Sequence, residues 1–213
     1  LPARPEKDSR VINKDTALNW VEQGLVPDSA IRAGIRRLCK DRLKDIHTGN
    51  CSAQAQLKTD FVRMMNGSPV AVLTEKANEQ HYEVPADFYR YALGPHRKYS
   101  CAWWPAGVNT LEAAEAAGLA ETCAHADLQN GQRILELGCG WGSLSLWMAA
   151  HYPQSRIVAV SNSGSQRAYI TSEAARRGLD NLQVITANVV EFAPDDLFDR
   201  VVSVEMFEHM RNW

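Results

Sequence analysis

No apolar run in this 213-residue chain approaches the roughly 20 residues of a membrane span, and the opening LPARPEKDSR is no signal peptide. That opening starts at Leu1 rather than Met, so it is not taken for the native start. There is no C-x-x-C pair. Cys39, Cys51, Cys101, Cys123 and Cys139 are an odd number at irregular spacing, which suggests neither a disulfide framework nor a zinc site. No metal is therefore expected, and a reducing cytoplasm is the expected location. The net charge of -2 provides no basic footprint for nucleic acid, so none is expected as a partner. No G-K-[ST] follows the glycines, which excludes a P-loop. Finally, no Asp or Glu occurs between Glu136 and Glu173, so the carboxylate that a dinucleotide fold needs about 20 residues past its glycine loop is missing. Nicotinamide cofactors are disfavoured.

What is there reads as a globular chain, 45% hydrophobic and 23% charged. Residues 1–14 are charged and aperiodic, a flexible lead-in. Residues 15–108 read as an all-helical cap and lid, and 109–213 as an α/β domain. After Pro27, Ile31, Ile35, Leu38 and Ile46 fall at helical spacing among Arg32, Arg36, Arg37, Lys40, Arg42 and Lys44. This basic amphipathic helix either packs on its own domain with a solvated face or makes weak contact with an anionic membrane surface. A second helix is expected over 53–65, closed by NGSP, and an alanine-rich one over 110–126.

From residue 133 the pattern becomes strand, turn, helix, repeated. Strands are expected at 133–137, 156–160, 182–186 and 199–204, with helices at 143–151 and 165–177 and Gly178 stopping the second. Alternating β and α predicts a parallel sheet covered on both faces. In LELGCGWGS the glycines Gly138, Gly140 and Gly142 lie between the first strand and its helix, where a glycine backbone can turn sharply and approach a ligand. The same glycines could also serve turn geometry alone. A loop led by an acid, Glu136, suits a ligand carrying an ammonium group.

LELGCGWGS, AVSNSGSQ, HYEVPADFYRYALGPHRKYSCAWW and VEMFEHMRNW stand in this order. Together they resemble the cyclopropane-fatty-acid-synthase-like S-adenosylmethionine-dependent methyltransferases, within that class the coclaurine N-methyltransferase type. The resemblance runs from about Leu18 to the end. It implies a Rossmann-like class I methyltransferase sheet, of which this chain would hold the first four strands and lack the rest, with an all-helical N-terminal cap. It implies S-adenosyl-L-methionine as cofactor and S-adenosyl-L-homocysteine as product. By the same resemblance Tyr99 and Ser100 touch the methionine part, Gly138 and Gly140 pass beneath it, Ser161 and Gln166 replace the ribose-binding acid, and Asn188 meets the adenine. Val189 departs from the aromatic of mycolate-type relatives. His81 and Tyr82 are expected to line the cleft. Phe88 and Tyr91 are expected to be core aromatics. Cys101 is either a buried small hydrophobe or a residue beside the reacting centre.

Glu205, Glu208 and His209 lie three and four residues apart, so one helical turn would place them on one face, at the C-terminal end of a central strand. Three titratable groups there fit general-base work, or else a solvated helix start. The first expectation is N-methylation of a small aromatic or cyclic amine, with Glu208 and His209 orienting the amine and taking its proton and Glu205 positioning the cation. In the lipid enzymes of the resemblance, glycine or another small residue stands where this chain has Glu205. The second is a cyclopropane synthase or lipid C-methyltransferase, in which Glu208 and His209 would help hold bicarbonate. The third is an inactive cofactor-binding fragment. Oligomeric state stays open, a homodimer among the options.

Overall fold

Short runs of β-branched and other apolar residues separated by glycine turns build a four-stranded parallel sheet. The computed structural model describes residues 14–47, 49–71 and 86–212. Strands β1 (Arg133–Leu137), β2 (Arg156–Ser161), β3 (Leu182–Thr186) and β4 (Arg200–Ser203) lie in the order β3-β2-β1-β4, all neighbours parallel. β1 and β2 run side by side from Arg133↔Arg156 to Leu137↔Val160, and Ile134 and Ile157 are fully buried between the covering layers. The expected strands hold to within a residue.

Helix α1 spans Lys14–Glu22, α2 Asp28–Ile46, α3 Cys51–Asn66 and α4 Ala86–Ala92; then come α5 (Leu111–His125), α6 (Ser143–His151) and α7 (Gly164–Arg177). Caps mark their ends. The Thr110 side chain accepts from Ala113 N–H at the start of α5, and that of Ser163 from Gln166 N–H at the start of α7. Gly178, left-handed at φ 66°, closes α7. α6 is apolar nearly all round because both of its sides are covered. Leu144 and Met148 join Leu119, Cys123, Ile134 and Ile157 in one core, whereas Leu146 joins Ile170, Ala174 and Val184 in another. Parallel strands need crossover helices, and the packing of α6 and α7 beside β2 and β3 meets that need.

Two compact units are distinguished, residues 1–64 and 65–213. In the first, α2 buries none of its residues, and Ile35 and Leu38 are exposed. The expected packing of α2 on its own domain is therefore not realised among the described residues. The second unit holds the sheet. Its closing segment is tied back onto 68–71: Arg211 N–H donates to Val70 O at 2.9 Å, the Asn212 amide to Ser68 O at 3.1 Å, and Met210 forms a bridge with Ala71. No helix among the described residues is long and apolar enough to cross a membrane.

Candidate active site

The turn after β1 opens the site. Gly138 N–H and Cys139 N–H both donate to Val160 O at the end of β2, which draws the loop over the strand ends. All three loop glycines have positive φ, but for different reasons. A Cβ on Gly138 would lie 2.7 Å from Met206 Sδ, and one on Gly142 2.5 Å from Ile170 Cγ1, whereas one on Gly140 would meet nothing within 4 Å. Gly142 thus serves packing and the start of α6. Gly140 faces open space at the cavity wall.

Above this loop lies a cavity of about 320 Å³. Tyr99, Ser100, Glu136, Gly138, Gly140, Glu205, Glu208 and His209 line it, so residues from three distant motifs converge. Glu205, Glu208 and His209 do not share one α-helical turn. Only Phe207–His209 form a short 3-10 turn, and Glu205 before it is left-handed at φ 53°. They meet at the rim through a kinked backbone instead. The Glu205 carboxylate accepts from Cys101 N–H at 3.4 Å, joining the EMFEH and YSC motifs across 104 residues.

Several expected residues lie elsewhere. Cys101 is exposed, which corrects its reading as a buried hydrophobe, and its side chain is not among those lining the cavity. Ser161 and Gln166 form a buried pair beyond the cavity wall: the hydroxyl donates to Gln166 Oε1 at 2.6 Å. Asn188 accepts from Val190 N–H at 3.1 Å in the turn after β3. His81 and Tyr82 lie outside the described residues. Phe88 and Tyr91 are 55% and 86% exposed, so they are not core aromatics. The buried member of α4 is Tyr89, which packs edge-on to Tyr99 and tilted against Trp141, both ring centroids at 5.2 Å.

Glu136, buried near the end of β1, accepts from Ser145 Oγ, and burial pushes its carboxyl up to about 7 from the ordinary 4.5. Burial likewise raises the Cys139 thiol, so that cysteine is a wall and not a nucleophile. The sequence alone did not single out Glu115, Arg97, Lys98, Trp141 or Ser143. Glu115, buried in α5, accepts from the N–H groups of Gly94, His96 and Lys98 at 3.0, 3.0 and 3.3 Å and so fixes the 94–98 loop. Arg97, left-handed at φ 49°, lies 4.3 Å over the Tyr169 ring. Lys98 and Trp141 stand beside YSC and inside the glycine loop, and that adjacency is the signal that could have found them.

Buried polar atoms without partners test what the site can hold. Arg97 Nη1, Trp141 Nε1 and Ser143 Oγ all belong to cavity-lining residues, and Gln166 Nε2 lies past the end of β2. Such atoms are costly unless water or a ligand completes them. The three on cavity-lining residues can all donate, so the site fits a ligand rich in acceptors. A nucleoside carrying an amino-acid arm has that chemistry.

The sheet order, the glycine loop and the crevice at the strand ends define the Rossmann-like fold of class I methyltransferases. The chain belongs to the mycolic acid cyclopropane synthetase family, whose model matches residues 72–213. It is 36% identical to an (S)-coclaurine N-methyltransferase of Thalictrum flavum subsp. glaucum over 92% of this chain and 54% of that protein. With the cyclopropane-fatty-acyl-phospholipid synthase of Escherichia coli (strain K12) it shares 38% over 62% of this chain and 33% of the other. A crystal structure of coclaurine N-methyltransferase bound to N-methylheliamine and SAH superposes with a TM-score of 0.85 at 35% identity, covering 92% of this chain and 56% of that one. The chain thus spans about half the length of the N-methyltransferases it matches.

Proposed function

We propose that the protein is an S-adenosylmethionine-dependent methyltransferase that methylates the nitrogen of a small aromatic or cyclic amine. In this reading residues 109–213 form the donor-binding half and 15–108 a helical cap and lid. The orphan donors Trp141 Nε1 and Ser143 Oγ and the open face of Gly140 support the donor site. Ser161 holds Gln166 by its carbonyl, a buried pair that props the turn after β2 behind the cavity wall. The bound donor supplies an electrophilic sulfonium methyl, and S-adenosylhomocysteine is the product. The odd number and irregular spacing of the cysteines support a reducing, cytoplasmic setting.

The observation that carries the amine reading is the conformation of Glu205. A non-glycine residue at φ 53° is strained by about 1–2 kcal/mol, and glycine would relieve that strain. A glutamate held there with its carboxylate on Cys101 N–H, at the cavity rim, is explained by a cation it must face. Glu208 and His209, at the same rim, orient the amine so that its lone pair points along the breaking S–CH₃ bond. As the N–CH₃ bond forms, they accept the proton that the new ammonium releases.

The complete protein, incubated with methyl-labelled S-adenosylmethionine and either an amine panel or vesicles of unsaturated phospholipid, tests this. Label should enter amines. Label in lipid and none in amines would overturn the amine reading in favour of lipid alkylation.

A further inference from the structure

Two buried ionisable side chains, one basic and one acidic, line the same cavity without pairing with each other. Lys98 is 7% exposed and Glu136 4%. Among the described residues Lys98 Nζ makes one hydrogen bond, to Ser100 Oγ, and no ion pair. Glu136 accepts from the neutral Ser145 hydroxyl. An uncompensated buried ion is expensive, and it persists where something other than the fold requires it.

The loop places Lys98 with care. The Glu115 carboxylate fixes its backbone N–H. Its stem crosses α5 at Gly118, where an added Cβ would lie 3.1 Å from Lys98 Cε. Because an ammonium can only donate, it uses an acceptor lone pair of Ser100 and leaves the hydroxyl hydrogen of Ser100 free to donate elsewhere. The result is two adjacent donors, Nζ and Oγ, on two cavity-lining residues. Two side-by-side donors with one positive charge match the two oxygens of a carboxylate.

From this we infer that Lys98 is the carboxylate anchor of the donor site, acting with Ser100. The two residues together read the carboxylate of the donor's amino-acid arm. The inference rests on the donor reading above and adds the residue that recognises one group of it. Lys98 touches the ligand in this scheme but not the transferred methyl, so its effect falls on binding and not on the chemical step.

The test compares two nucleosides that differ only in the carboxylate, S-adenosylhomocysteine and its decarboxylated analogue adenosylthiopropylamine, by calorimetry on the wild type and on Lys98→Met. The wild type should prefer the carboxylate-bearing ligand by roughly tenfold to a hundredfold, the usual worth of a hydrogen bond to a charged group. Lys98→Met should lose that preference by weakening S-adenosylhomocysteine alone, leaving the analogue within about threefold. Equal weakening of both ligands, or no weakening, overturns the inference. The ligand-free variant should unfold at the same or higher denaturant concentration, since a buried unpaired charge has been replaced by an apolar stem of similar shape. A variant that does not fold overturns it too, by making Lys98 a structural residue. If the wild type binds neither nucleoside, the donor reading itself fails, which is a different result.

Discussion

The carboxylate of Glu115 fills the space that a side chain at position 94 would need, and Gly94 N–H donates to that carboxylate at 3.0 Å. An acid on α5 and a glycine 21 residues earlier are thus one device. It holds the loop that carries Arg97, Lys98 and Tyr99 to the cavity wall.

Replacing Glu115 by Ala leaves three backbone donors without their acceptor and should cost about 3 kcal/mol of stability. Glu115→Gln, which keeps one carbonyl oxygen, should cost about half as much. Urea unfolding midpoints of the wild type and the two variants check the order, and midpoints equal to the wild type's would show that the three hydrogen bonds contribute nothing.

The loop glycines should separate by experiment. Gly142→Ala meets Ile170 and forces a left-handed alanine, so it should cost about 3 kcal/mol of stability. Gly140→Ala carries only the backbone strain, about 1–2 kcal/mol, yet should abolish calorimetric binding of S-adenosylhomocysteine. Retained binding in Gly140→Ala removes the cradle role.

Glu136 sets a pH dependence of the ligand-free protein. Its folded pKa, about 7, lies above the ordinary 4.5, so between these values the folded state binds more protons than the unfolded one. Stability from this group is complete below pH 4.5 and is lost as pH rises through about 7, a total on the order of 3 kcal/mol. Glu136→Gln should match the wild type near pH 4.5 and exceed it at pH 8. Denaturation midpoints across that range decide, and parallel curves for the two proteins would show that Glu136 does not titrate there.

Glu205→Gly relieves a left-handed glutamate and should raise stability by up to about 1 kcal/mol. Labelled methyl transfer to amines should fall at least tenfold, about 1.4 kcal/mol of transition-state stabilisation. Stability and turnover moving together in the same direction would argue against a cation-facing role.

The strands and the glycine loop were legible because they rest on local demands. Ile134 and Ile157 fall in short apolar runs, and Gly138, Gly140 and Gly142 take a backbone shape that other residues avoid. The α4 aromatics were not legible. Seven residues make two turns, too short a period to say that Tyr89 and not Phe88 or Tyr91 faces inward, and contact with Trp141 decides it. The rim was half legible, since spacing brought Glu205, Glu208 and His209 together but implied a helical turn that the left-handed Glu205 breaks.

The sequence by itself determined the alternation of strand and helix, the turn after β1 and the motif order, because each depends on residues a few positions apart. Only the tertiary structure decided which charges are buried. Glu115 reads as one more surface acid of an alanine-rich helix, and Lys98 as one more solvated cation. They become an anchor and a buried ammonium only when the 94–98 loop packs on α5 beside the glycine loop. Burial is a property of contacts between distant segments, and no local pattern encodes it.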